Sequence, residues 1–285
     1  MSQSGLGRWT KGPVPRLQPQ RILRRLRSLV TLALLGAAQA SRAAPPELST
    51  YAVGSIPVAA GQGDLEFPLT GDFRGQVGLA LLSQGTYQDR NPFSHMSLIS
   101  PWLWLHFDGV SNLRLSAGFQ ESWSLAVSAM GLPATREERW MARARLQQPR
   151  GAAAIYEMVQ LDLRSFDDPT GKHQLVFRPR LRVGTGFNLD ATRIHSLVLY
   201  QEVALRFADA SYTKRAFDFY RAVVGYTWTT RRGIFITAGV IGQVSLSPAG
   251  TRLDFLYGPA LSLAYRIVSA TAAEAPPEPP EIETH

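Results

Sequence analysis

Along most of the chain, apolar and polar residues alternate one by one. The stretch "NLRLSAGFQ", Asn112 to Gln120, sets Leu113, Leu115, Ala117 and Phe119 on one parity and Arg114, Ser116, Gly118 and Gln120 on the other. A period of two is the pattern of a β-strand with one apolar and one polar face. From Arg74 onward ten such runs are separated by turn residues. They span 74–84, 95–108, 111–123, 137–148, 152–165, 173–187, 194–207, 217–229, 233–246 and 252–267. No segment of helical period interrupts them, so the chain is predicted to be all-β.

The connections alternate too. "DGVSN", "QQPRG" and "TTRRG" are tight, whereas "QGTYQDRNPF", "LAVSAMGLPATRE", "FDDPTGK" and "ADASYTKRA" are longer. Short turns at one end and longer loops at the other are the habit of outer-membrane barrels. An even strand count predicts both termini on the periplasmic side.

The polar parity is rich in arginine. "RWMARARLQ" places Arg139, Arg143 and Arg145 opposite Trp140, Ala142 and Leu146, and "LVFRPRLRVG" places Arg178, Arg180 and Arg182 opposite Leu175, Phe177 and Leu181. Asp162, Glu202, Arg206, Arg221 and Arg266 lie on the same side as these arginines. In a soluble sandwich or small barrel the leucines would be core and the arginines surface. In a membrane barrel the parity inverts: leucines meet lipid and arginines enter an enclosed lumen. Aromatic residues near strand ends favour the second reading, with Trp102, Trp104, Trp123, Trp140, Tyr226, Trp228, Tyr257 and Tyr265 as candidates for interfacial girdles. On that reading Leu113, Leu115, Ala117 and Phe119 touch lipid.

The first residues sharpen the localisation. A basic stretch ending "RILRRLRS" precedes the apolar run "LVTLALLGAA" and the small residues "AQASRAA". This is the layout of a secretory signal over residues 1–43, cleaved after Ala40 or Ala43. An apolar run of about ten residues is too short for a spanning helix, which needs roughly 20. The signal also changes the meaning of the charge. The whole chain carries 30 Lys and Arg against 22 Asp and Glu, but residues 1–40 hold seven basic and no acidic ones. What remains is nearly neutral, so no nucleic-acid partner is expected. With no Cys, the exported product uses neither disulfides nor thiolate metal sites.

Residues 44–72, rich in Pro and Gly, read as an irregular lead-in to a barrel over 73–268. The final 269–285, with four Glu and four Pro in "TAAEAPPEPPEIETH", reads as a solvated periplasmic tail.

The stretches "WLWLHFDGVSNLRLSAGFQ", "REERWMARARLQ", "FRPRLRVG", "LYQEVALRF", "FDFYRAVVGYTW" and "GPALSLAYRI" together resemble the bacterial outer-membrane family of domain of unknown function 2490 (DUF2490). The resemblance runs from about residue 102 to 267 and rests more on the order of these motifs than on any one of them. It implies a Gram-negative outer-membrane barrel without an assigned activity, and recurring charged positions at Arg114, Arg139, Arg180, Glu202 and Arg221. Such barrels often end in an aromatic residue read by the barrel-assembly machinery. Here the tail follows, so the internal "LSLAYRI" would carry that signal.

A search for chemistry finds little. The histidines are His95, His106, His173, His195 and His285, and none has metal-ligand spacing. "DPTGKH" lacks the first glycine of a phosphate loop, Phe166 standing in its place, and "GTGFNL" lacks the third glycine of a dinucleotide fingerprint. No cofactor and no metal are expected. A lipid-modifying enzyme would need a Ser and a His near the membrane surface. His195 beside Ser196 points to the opposite face, and His173 near a loop is the other candidate.

The expectation is an all-β, transmembrane, antiparallel up-and-down barrel of about ten strands, structural or interaction-forming and without catalysis. Its partners are outer-membrane lipid and the assembly machinery, with a small anionic ligand as a further partner. Its lumen would hold Arg114, Arg139, Arg143, Arg145, Asp162, Arg178, Arg180, Arg182, Glu202, Arg206, Arg221 and Arg266. The alternatives are an anion-preferring channel lined by these arginines and a lipid-modifying enzyme.

Overall fold

The computed structural model describes residues 52–127, 134–167, 171–208, 217–230, 232–246 and 252–267. The expected signal peptide and the tail 269–285 lie outside the described residues.

The described chain is strand and turn. The strands are β1 (Ala52–Pro68), β2 (Phe73–Gln84), β3 (His95–Val110), β4 (Leu113–Ser124), β5 (Thr135–Arg150), β6 (Ala153–Asp167), β7 (His173–Asn188), β8 (His195–Leu205), β9 (Phe207–Ala208), β10 (Phe217–Thr229), β11 (Ile234–Leu246) and β12 (Arg252–Arg266). The two-residue β9 continues β8 past Arg206, so eleven staves form the sheet. Consecutive staves pair antiparallel, and β1 pairs parallel with β12, which closes the barrel. Closure satisfies the backbone donors and acceptors that an open edge would expose.

The count of eleven corrects the expected ten. The added stave is β1, inside the stretch read as an irregular lead-in. Pro57, Gly61 and Gly63 weaken the strand signal there. Its two neighbours supply the ladder that local propensity does not, with Gln62 opposite Ala80 on one side and Ser262 on the other. An odd number of staves makes the first and last parallel. β1 therefore enters the barrel at the end of the longer loops, and β12 leaves it at the end of the short turns. The first stave thus begins and the last ends at opposite ends of the barrel, where an even count would have placed both at one end.

The short-turn end is built from residues that tolerate a left-handed backbone. Asn112 has φ +62° in the connection between β3 and β4, and Gly151 has φ +64° between β5 and β6. Both are residue types at home in two-residue hairpin loops. In the turn between β7 and β8, Asp190 accepts hydrogen bonds from the Thr192 hydroxyl and from the amides of Ile194 and His195. The Thr192 bond leads in lowering its carboxyl below the usual range. In the loop 85–94, Asp89 is lowered in the same way by the Ser94 hydroxyl and the Asn91 amide.

Parity separates the two surfaces. Leu103, Leu105, Leu115, Leu161, Leu163, Leu197, Leu199 and Val224 lie on the outside and are exposed, while Arg139, Arg180, Arg221, Gln120, Gln160 and Glu202 are almost wholly buried within. Leu113 departs from its expected outward position. It is buried beside the tight turn, opposite the equally buried Leu146.

Candidate functional site: an ionic interior

The interior has two ionic clusters. The larger lines the wall from β5 to β10. Glu202, 1 % exposed, lies 2.5 Å from Arg180 Nε, 3.0 Å from Arg182 Nη2 and 3.7 Å from Arg221 Nη1. Asp162 accepts two hydrogen bonds from Arg178, at 2.9 and 2.8 Å, and lies 3.6 Å from Arg180. Glu137 bridges Arg164, at 2.5 Å, and Arg139, at 2.7 Å. Asp218 joins Arg178, Arg164 and Arg206. Charges withdrawn from water need such partners.

Amides and rings extend the network. Gln160 accepts from Arg143 and donates to Asp162, Gln120 accepts from Arg139, and Gln243 accepts from Arg221. The Phe219 ring is approached by Arg178, Arg180 and Arg221, at 5.7, 5.9 and 4.7 Å from its centroid. Arg182 lies over Tyr200 at 4.6 Å, Arg145 over Tyr156 at 5.2 Å and Arg143 over Trp104 at 4.0 Å. Guanidinium groups favour such stacking because they are planar and weakly hydrated.

The smaller cluster sits at the short-turn end, around Glu66. Arg114 pairs with Glu66 at 3.2 Å and with Asp108 at 2.7 Å, Arg266 reaches Glu66 at 3.3 Å, and Arg74 reaches Asp108 at 3.1 Å. Glu66 is on β1 and Arg266 on β12, so this pair crosses the parallel seam.

The predicted lumen residues thus fall into two groups. Arg139, Arg143, Arg145, Asp162, Arg178, Arg180, Arg182, Glu202, Arg206 and Arg221 line one wall, and Arg114 and Arg266 lie at the short-turn end. Glu66, Asp108, Glu137 and Asp218 complete the ion pairs and were missing from the sequence-based set. Asp218 escaped because alternation from Phe219 and Arg221 puts it outside. A β-bulge between Phe217 and Phe219 lets both Asp218 and Phe219 point inward.

Two girdle assignments are also corrected. Trp102 and Trp104 are 6 % and 3 % exposed and point into the barrel. In "WLWLH" both parities are apolar up to His106, so the pattern orients it only weakly. Space decides instead. Any side chain at Gly78 would strike the Trp102 ring, and any at Gly118 the Trp104 ring. The other candidates, Trp123, Trp140, Tyr226, Trp228, Tyr257 and Tyr265, are exposed on the outer surface. Tyr226 hydrogen-bonds His195 at 2.5 Å, while Ser196 is paired with the buried Thr227 on the opposite face.

The remaining wall carries an apolar patch beside buried polar residues such as Gln62, Thr237 and Ser262. Ile56, Val58, Ala60, Leu82, Leu98, Val223, Ile241 and Ala260 form one buried cluster with Val198 and Tyr200. The chain matches no protein-family model and no curated protein.

Proposed function

We propose that this chain is a barrel of the Gram-negative outer membrane, exported by its N-terminal signal and related to the DUF2490 barrels, whose interior is a packed plug rather than a pore. The carrying observation is the parity of the closed sheet, with leucines exposed around its outside and charges enclosed within. Burying the twenty-six polar or charged residues that lie inside among the described ones, while exposing rows of leucines to water, would oppose the hydrophobic effect, whereas lipid removes the conflict. Its role is that of a structural or interaction barrel, exerted through its outer surface and long-loop end.

The absence of Cys allows a direct test. Single Cys substitutions at Leu103, Leu161, Leu197 and Val224, carrying a fluorophore, are expected to be quenched by brominated phospholipid in reconstituted vesicles. Quenching by aqueous iodide alone would overturn the reading.

A second reading, an anion-preferring channel, is favoured by one observation. Among the described residues of the larger cluster, Arg139, Arg143, Arg164, Arg178, Arg180, Arg182, Arg206 and Arg221 outnumber Glu137, Asp162, Glu202 and Asp218. Against it stand the apolar cluster on the facing wall and the rings interleaved with the arginines. Planar-bilayer recording separates the two. Anion-selective current abolished by Arg143→Glu and Arg180→Glu would replace the plug with a pore.

A further inference from the structure

Three polar residues interrupt the apolar outer surface at the long-loop end of the β6–β7 hairpin. Ser165 and Asp167 continue the parity of Leu161 and Leu163, and His173 continues that of Leu175 and Phe177. These four hydrophobic residues are 41–56 % exposed on the outside. Asp167 is directly opposite His173 in the ladder, and Ser165 is opposite Leu175. The imidazole therefore lies between a carboxylate and a hydroxyl. His173 Nδ1 is 3.1 Å from Asp167 Oδ1, and His173 Nε2 is 3.3 Å from Ser165 Oγ.

This order has chemical content. If Nδ1–H donates to Asp167, Nε2 is left with the lone pair that accepts the Ser165 proton. Nucleophile, base and orienting acid are then linked in the sequence required for acyl transfer. Of the other described histidines, His106 is buried inside between Ser116 and Gln76, and His195 bonds the Tyr226 phenol. Depth points to the substrate. The Phe177 and Phe207 rings, 6.4 Å apart, lie on the outer surface just below the trio. Aromatic rings near strand ends mark the level of the membrane interface. Lipid ester bonds lie at that level, between headgroup and acyl chain.

We propose that Ser165, His173 and Asp167 form an outward-facing esterase site that cleaves an acyl-chain carboxylic ester of a lipid in the leaflet at the long-loop end. The proposal rests on the membrane-barrel reading and adds a catalytic site to that barrel. Ser165 Oγ attacks the ester carbonyl carbon while His173 Nε2 takes the hydroxyl proton. The bond from the acyl carbon to the lipid alcohol breaks, and the alcohol departs with that proton. Water, giving a proton to His173, then attacks the acyl-serine. The fatty acid is released and the proton returns to Ser165. Asp167 is a positioning residue that holds the imidazole tautomer and balances the charge of the imidazolium.

The test uses the full mature chain refolded into vesicles, with fatty-acid release as the readout. One set of vesicles contains equal parts phosphatidylethanolamine and phosphatidylglycerol, and a second contains lipopolysaccharide. Release from the first assigns a glycerophospholipid ester, and release from the second an acyl ester of the lipopolysaccharide anchor. Ser165→Ala should lower release to the background of empty vesicles and abolish labelling by a fluorophosphonate. His173→Ala should cost about 100-fold or more, and Asp167→Glu should retain more activity than Asp167→Asn. All four variants should keep the heat-dependent gel mobility of a folded barrel. A folded wild-type barrel that releases no fatty acid from either vesicle overturns the site and leaves the barrel reading standing. So does equal release by Ser165→Ala. A wild-type chain without that gel mobility overturns the barrel reading, and the site with it.

Discussion

The two interior walls of this barrel reach the same end by opposite means. From β5 to β10, space is filled by arginines, each held by a carboxylate, an amide or a ring. Across the seam, from β11 through β12 and β1 to β2, much of it is filled by Ile241, Ala260, Val58, Ile56 and Leu82. The ionic wall is specified by direction and charge, the apolar wall by shape. Removing a partner from the first leaves a buried charge exposed to a poor solvent, while altering the second disturbs backbone approach.

The largest effect is expected where shape leaves no room. A Cβ at Gly258 on β12 would collide with the Val58 carbonyl of β1. Gly258→Val should therefore prevent closure and abolish the folded gel band. On the ionic wall, Glu202→Gln strips the carboxylate shared by Arg180, Arg182 and Arg221, and should lower unfolding stability by about 3–5 kcal/mol in urea titrations followed by tryptophan fluorescence. On the lipid face, Leu161→Arg should cost about 2–4 kcal/mol in vesicles, and far less if that face met water. Glu66→Gln at the short-turn end should cost about 1–3 kcal/mol, less than Glu202→Gln, since Glu66 is buried but its arginine partners are partly solvated. The smallest effect concerns pH. The lowered Asp190 carboxyl stabilises its turn fully above the ordinary Asp range, and that contribution is lost as pH falls below it, so amide resonances of Ile194 and His195 should shift only in acid.

The same contrast explains how much the sequence revealed. On β5, β6 and β7 one parity is charged and the other apolar, so strand, facing and lumen candidates could all be read. Around the seam the alternation is weaker, the inward parity of β1 turning polar only from Gln62 through Asp64 to Glu66. β1 reads "AVGSIPVAAGQGDLEFP", in which neither face stands out over the first half and Pro and Gly imitate a loop. Its pairing is nonlocal, because the partner β12 lies at the far end of the chain. Trp102 and Trp104 were misplaced for the same reason: their facing depends on glycines in β2 and β4. Asp218 was hidden by a bulge, a shift of one residue that alternation does not encode. His173 was visible as a candidate base, but its partners depended on the register between β6 and β7.

The central claim, a closed barrel with leucines toward lipid and arginines within, is tested most directly by fractionating cells and running the protein on detergent gels with and without boiling. The account predicts that the protein is found in the outer-membrane fraction and that the unboiled form migrates differently from the boiled one. A soluble periplasmic protein without a heat-dependent shift would contradict it, because the leucines would then have to form a core and the arginines a surface.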